Sequence, residues 1–360
     1  MLATKSKPPH EILSGLRDQQ VLIPELRAFF PAAETANPNH AKLVPSTNDF
    51  IDSLFPGNPK KAEKVKSTDL ALLACLWWPH AEFRTLQVLA YLIIWLLMWD
   101  DELDQVSESL ALGGDFTASQ RFRGQTLRYM RGSLGMDGAE KRSVFPEEFE
   151  NHFLQRFEPI AHFIKEEYDP VHRGLILEEM EFTIEMSCLE QQHRIQGRLP
   201  TIDEYWTYRL GTNLMGVVCA ATELSMNKRL SHSTLLHPFM RDICLQTNRI
   251  IAITNDILSL RKEVEKGEVC SLIPLLYKSN DSLQEVVDMA VHLLKDASHD
   301  LARYDAGLAT QLGDKACETF LQSCYDYCTG FLHWSLTTTR YNLASVPRDE
   351  NGSMVLSLKV

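Results

Sequence analysis

The run Asn255-Asp256-Ile257-Leu258-Ser259-Leu260-Arg261-Lys262-Glu263 decides how this chain is read. Asn255, Ser259 and Glu263 stand four residues apart. On an α-helix such positions drift by about 40° per step, so an amide, a hydroxyl and a carboxylate share one stripe. Oxygen donors in that arrangement suit a hard cation such as Mg2+, with open positions left for phosphate oxygens. A solvated amphipathic face is the plain alternative, and Lys262 and Glu263 would be at home on one. The stretch from Ile250 to Leu260 is otherwise mostly apolar, however. Asn255 and Ser259 would then be polar intrusions into a buried surface, and buried polar groups need partners.

Upstream lies a second acidic group, Asp100-Asp101-Glu102-Leu103-Asp104. Residues 82–104 read as one long helix, apolar all round until this end, which is the pattern of a helix buried on every side. Asp100 and Asp101 fall four and three residues before Asp104, so the three carboxylates occupy adjoining parts of one face. Like charges about 5 Å apart repel by roughly 3 kcal/mol at an effective dielectric of 20. The helix dipole also disfavours anions at a C-terminus. A solvated helix end is again the plain alternative; bound cations are the other.

Taken together, DDxxD at 100–104 and NDxxSxxKE at 255–263 resemble the signature pair of class I terpene cyclases, most closely the single-domain microbial sesquiterpene cyclases. Two further positions fit that resemblance. Arg209 lies 46 residues before Asn255, where the family has its diphosphate-sensing arginine. Arg340-Tyr341 stands where the family has an Arg-Tyr pair, with Trp334 six residues earlier. One position departs from the pattern: Ser271 stands where the family often has an asparagine, and since it is no presumed ligand it alters only the expected loop packing. There is no second aspartate-rich motif of chain-elongating prenyltransferases and no DxDD motif.

The resemblance implies an all-α fold, a single-domain class I terpenoid synthase bundle around a central apolar cavity. It implies a lyase that uses three Mg2+ ions to ionise a linear prenyl diphosphate, most readily farnesyl diphosphate, and cyclises the carbocation to a sesquiterpene hydrocarbon or alcohol. Asp100, Asp101 and Asp104 would hold one metal pair, and Asn255, Ser259 and Glu263 the third ion. Arg209, Lys262, Arg340 and Tyr341 would donate hydrogen bonds to diphosphate. Trp334 would present a π face to the cation, with Trp95 and Trp99 more naturally core residues. Thr212 and Asn213, after the sensor arginine, would serve a switching role. The alternatives are a diterpene cyclase using geranylgeranyl diphosphate and a non-catalytic helical binding protein.

Composition agrees with an ordinary globular enzyme. The chain has 360 residues, 44% hydrophobic and 23% charged, with a net charge of −12. That balance argues against non-specific nucleic-acid binding. The eight cysteines form no zinc-ligand spacing and read as reduced thiols of a cytoplasmic protein. Met1 to His10 lacks an apolar signal core, and the greasy run from Leu86 to Trp99 is too short for a membrane span. A homo-oligomer is left open. His80, His193 and His333 stand alone, with no triad-like motif around them.

The chain divides into a Pro-rich irregular arm (1–68), the helical domain (69–345) and a C-terminal tail (346–360). Thr68 or Asp69 should cap a helix over Leu70 to Trp78, which Pro79 ends. Residues 107–120 read as a loop. Helices are expected at 122–133, 146–167 and 172–197. Thr201-Ile202-Asp203-Glu204 is a capping box, opening a helix that Gly211 and Gly216 should kink or break. Helices at 234–248, 250–267, 282–306 and 313–343 complete the reading. No period-2 run predicts a sheet.

Overall fold

A computed structural model describes residues 8–30, 35–104, 112–136, 151–226, 229–277, 282–312 and 315–359. Helices α1 (Pro9–Leu16), α2 (His40–Leu54) and α3 (Pro59–Lys66) lead into α4 (Leu70–Trp77) and α5 (Phe83–Asp104). There follow α6 (Phe116–Ser133), α7 (His152–Gln155), α8 (Glu158–Glu167) and α9 (Pro170–Gln196). The middle of the chain forms α10 (Ile202–Thr212), α11 (Met215–Ala221), α12 (His232–Leu235), α13 (Pro238–Leu258), α14 (Leu260–Lys266) and α15 (Leu272–Leu276). Two long helices, α16 (Leu283–Leu312) and α17 (Lys315–Thr337), close the bundle.

The expected absence of a sheet needs correction. Strands β1 (Gln20–Ile23) and β2 (Met354–Ser357) pair antiparallel, with Val21 opposite Leu356 and Ile23 opposite Met354. Each strand has four residues, too few for an alternating pattern to stand out. The ribbon is held because Val21, Ile23, Met354 and Leu356 all turn inward. The segment read as irregular also contains the fifteen-residue α2, which keeps Pro45 inside it and packs on α4 and α5.

α5 is the core helix that its composition predicts. It is the one described helix long and apolar enough to cross a membrane, yet most of it is covered by protein, with α2, α4 and α8 packed on it. Trp95 gives its indole N–H to Phe153 O at 3.2 Å, and Trp99 gives its own to Thr126 Oγ1 at 3.0 Å. Both rings stack on phenylalanines of α6 and α7, which is core packing.

α13 lies against α10, α11, α16 and α17. It is one helix where two were expected, split near residue 249. Asn248, which could have broken it, instead sends its amide across to Leu210 O at 2.7 Å. The real interruption comes at Ser259, inside the motif. Ser259 Oγ bonds back to Asn255 O at 2.7 Å, a contact that bends helices. Hydrogen bonds from Ser259 N to Asn255 O and from Glu263 N to Ser259 O keep the stripe in register across the bend.

Other boundaries shift for local reasons. Asp69 caps α4 by accepting from Leu72 N at 3.0 Å. Asp115 caps α6 six residues earlier than expected, shortening the loop before it. Pro159 restarts the chain as α8 after the short α7, and the first part of the expected 146–167 helix lies outside the described residues. Thr201 and Glu204 form the capping box on α10. The helix then breaks at Asn213-Leu214, where Leu214 takes φ +64°. α17 ends at Thr337, so Arg340 and Tyr341 sit on a turn rather than a helix.

α4 and α17 approach closely at Gly330, where an added Cβ would stand 2.9 Å from Leu76 Cβ and 3.1 Å from its carbonyl carbon. Backbone cannot give way as a flexible side chain can. Gly330→Ala should therefore destabilise the fold by about 1–3 kcal/mol. A urea midpoint equal to that of the wild type would mean the two helices separate freely.

Candidate active site

The C-terminal ends of α5 and α13, together with α14, bring the two motifs within reach of one turn. Arg340 Nη2 lies 3.5 Å from Asp101 Oδ1. Its neighbour Tyr341 accepts, at its hydroxyl oxygen, a 2.7 Å hydrogen bond from Asn255 Nδ2. The Arg-Tyr pair thus spans the acidic end of α5 and the start of the Asn255 stripe. The turn that carries it is anchored by Thr338 Oγ1, which donates to Thr68 O at 2.8 Å and accepts from Arg340 N at 3.2 Å.

On the stripe, Ser259 Oγ reaches Glu263 Oε1 at 2.5 Å, while the Asn255 side chain is bonded to Arg209 and Tyr341. Glu263 is pushed up to about 7, first by burial and then by nearby Asp256, with the hydroxyls of Ser259 and Ser271 opposing. Its hydrogen-bond partners are neutral hydroxyls, and the cations Arg209 and Lys262 act on it through space. Lys262 is pushed down to about 8 by burial and by the charges of Arg340 and Lys266. Its ammonium sits 5.7 Å from the centre of the Tyr341 ring.

On α5, Asp100 and Asp101 are half-buried. Glu102 turns aside to Lys61 of α3 at 2.5 Å. Asp104 is the last residue of α5, and its side chain lies outside the described residues.

Arg209 comes from α10. Its Nη2 donates to Asn255 Oδ1 and to Asp256 Oδ1, both at 2.8 Å. Burial works against its charge, but Asp256, Tyr205 and Glu190 more than offset this and hold it above the usual arginine range. Its buried Nε has no hydrogen-bond partner among the described residues. Arg340 is likewise opposed by burial and held up chiefly by Asp101.

Thr212 and Asn213 sit at the break between α10 and α11. Asn213 Nδ2 bonds Asn248 O and Oδ1 at 3.1 and 3.0 Å. The buried Thr212 Oγ1 has no hydrogen-bond partner among the described residues. At the break, Leu210 O accepts from Asn248 and Gly211 O from Thr183 Oγ1 at 3.1 Å. Trp334 is buried behind Tyr341, edge-on to its ring at 6.0 Å. Its indole N–H is used structurally, donating to Thr68 O and Asp69 O at 2.8 and 3.1 Å.

With this geometry in view, the comparisons are direct. The family profile described as terpene synthase family 2, C-terminal metal binding, matches residues 91–300, more than half of the chain. The chain belongs to that family. It is a class I terpene synthase of the microbial type, and it catalyses terpene cyclisation. Sesquiterpene cyclase hepA of Aspergillus oryzae is 27% identical over 374 residues, covering 98% of this chain and 97% of its own. Terpene cyclase braA of Annulohypoxylon truncatum is 24% identical, covering 90% and 86%. The fold matches germacradien-4-ol synthase from Streptomyces citricolor with a TM-score of 0.67 at 17% identity, over 86% of this chain and 97% of that one. It matches α-eudesmol synthase with a TM-score of 0.71 at 17% identity, over 86% and 98%.

Sequence reasoning passed over Asp256 in this terpene synthase. It is fully buried; Oδ1 accepts from Arg209, and Oδ2 accepts from Tyr205 Oη and Leu272 N, each at 2.6 Å. Its signal was legible: a carboxylate one step off the stripe, among isoleucines, requires a cationic partner. Ser271 was read as affecting only loop packing, and that reading is corrected here, since its hydroxyl donates to Glu263 Oε2. Among the described residues the one cluster of His, Cys, Asp or Glu able to share an ion is Asp169, His172 and His232. None of the three belongs to the motifs, and Asp169 is the N-cap of α9.

Proposed function

We propose that this terpene synthase ionises farnesyl diphosphate with the help of Mg2+ and cyclises the cation to a sesquiterpene. The observation that supports the reading best is the Arg340-Tyr341 turn, which touches Asp101 with one residue and Asn255 with the next. The choice of farnesyl diphosphate rests on the likeness to relatives named as sesquiterpene cyclases and synthases.

The residues fit a divalent cation. Asn255, Ser259 and Glu263 offer an amide, a hydroxyl and a carboxylate oxygen, the hard donors Mg2+ prefers. Glu263, raised by burial, is a group whose charge a cation would stabilise. Asp100 and Asp101, with Asp104, would hold ions from the α5 side, three in all with the α13–α14 site. Bound there, Mg2+ would neutralise the negative charge that develops on the departing diphosphate.

The protein's own groups do the rest. Arg209 and Arg340 aim guanidinium donors at the leaving group, and forks of this kind hold phosphate oxygens in pairs. Asp256 fixes Arg209 in place. Lys262 and Tyr341 would add donors beside Arg340. Such fixed donors stabilise developing charge without reorganising at the moment of reaction. Trp334, behind Tyr341, would lend its ring to the positive charge left on the hydrocarbon. The Thr212-Asn213 break would relay diphosphate contact at Arg209 to the cavity wall.

The purified protein given farnesyl diphosphate should release diphosphate and a cyclic sesquiterpene only when Mg2+ is present, followed by gas chromatography–mass spectrometry. Turnover of geranylgeranyl diphosphate alone would move the substrate to the longer chain. Release of diphosphate from neither would overturn the catalytic reading of these residues.

A further inference from the structure

The loop between α14 and α15 is pinned at three consecutive residues, and all three pins lead to the site. Tyr208 of α10 donates to Cys270 O at 3.1 Å. Ser271 Oγ donates to Glu263 Oε2. Asp256 accepts from Leu272 N at 2.6 Å. Gly267, with φ +78°, turns the chain back from α14 so that the loop can reach.

Ser271 is the N-cap residue of α15, yet its side chain makes no cap hydrogen bond. A serine in that place usually accepts from a backbone N–H of the first turn. Here the hydroxyl is turned away from its own helix and donates to a carboxylate eight residues upstream. Glu263 is left with one oxygen, Oε2, held by Ser271, and the other, Oε1, beside Ser259 Oγ at 2.5 Å.

We propose that Ser271 is a positioning residue for Glu263: by holding Oε2 it points Oε1 and the Ser259 hydroxyl toward the same ion. The inference rests on the metal reading proposed above. A hydrogen bond from an outer group to a ligating carboxylate fixes its orientation, and removing such a group typically lowers metal affinity by about 10–100-fold. Asp256 acts one step further back. It holds Leu272 N, and so the loop, and it also holds Arg209, which links the position of Ser271 to that of a diphosphate donor.

The test is Mn2+ binding, followed by electron paramagnetic resonance of the free ion, in the presence of inorganic diphosphate. Wild type, Ser271→Ala, Ser271→Thr and Ser271→Ala in a Glu263→Gln background are compared. The expected result is a loss of about 10–100-fold in Ser271→Ala for the ion that depends on Glu263. Ser271→Thr, which keeps the hydroxyl, should stay within a few-fold of wild type. In the Glu263→Gln background, Ser271→Ala should have no further effect. The urea midpoint of Ser271→Ala should fall only slightly, by the loss of one hydrogen bond and not of a helix cap. Wild-type affinity in Ser271→Ala, or an undiminished loss in the Glu263→Gln background, overturns the assignment while the metal site stands. A wild-type protein that binds no Mn2+ with diphosphate overturns the metal reading and this inference with it.

Discussion

Glu263→Gln should fold like the wild type and lose at least about a hundred- to thousandfold in kcat/KM for farnesyl diphosphate. Glutamine keeps the size of the side chain and one acceptor oxygen for the hydroxyls of Ser259 and Ser271. It removes the charge and turns the second oxygen into an NH2 group. That charge is unwelcome in the resting protein, because burial and Asp256 push the carboxyl up to about 7. Neutralising it should leave the urea midpoint equal to or above that of the wild type, as when an unpaired buried charge is removed. The cation site loses its anionic ligand at the same time, and hard divalent ions depend on such ligands. Stability retained or gained, with turnover lost, is therefore the expected pair of results, measured by chemical unfolding and steady-state kinetics. Turnover within tenfold of wild type would make Glu263 a polar filler of the loop and nothing more.

Asp256→Ala should act in the opposite sense, through the fold as much as the chemistry. The wild-type carboxylate accepts from the Arg209 guanidinium, the Tyr205 hydroxyl and the Leu272 amide. Its side chain is almost fully enclosed, and that of Arg209 is mostly so. Removing one partner of a buried pair leaves the other charge uncompensated and costs about 3–5 kcal/mol. Two neutral donors are stranded as well, which adds to the loss. The urea midpoint should fall accordingly. The protein that remains folded should bind inorganic diphosphate more weakly, because Arg209 is no longer aimed. A stability change below about 1 kcal/mol would mean that water or another acceptor replaces Asp256, and that it is not the hub of this region.

Much of the site can be read in the chain because helix geometry converts spacing into proximity. Ser259 and Glu263, four residues apart, touch side chain to side chain, and Arg209 meets Asn255 across two helices. The all-helical fold was legible for a related reason: the apolar surface of α5 has no polar face and needs helices around it. Other features are invisible locally. The bend at Ser259 depends on which acceptor a hydroxyl selects. Asp256 among isoleucines signals that it needs a cation, but which cation answers is settled only across the fold, by Arg209 of α10. The N–H of Trp334 is committed to the start of α4, 265 and 266 residues away in sequence, a partner no local pattern announces. The β1–β2 ribbon joins segments more than 300 residues apart, and nothing in four residues announces such a partner.

The 3.5 Å bridge between Arg340 and Asp101 has one further consequence. In the resting protein each of these groups already neutralises the other. On the proposed reading, an arriving anion competes for Arg340 and an arriving cation competes for Asp101. Either alone must strip a half-enclosed charge of its counterion; arriving together, they exchange partners at little cost. The bridge therefore acts as a two-key lock, and linkage requires each ligand to tighten the other by the same factor.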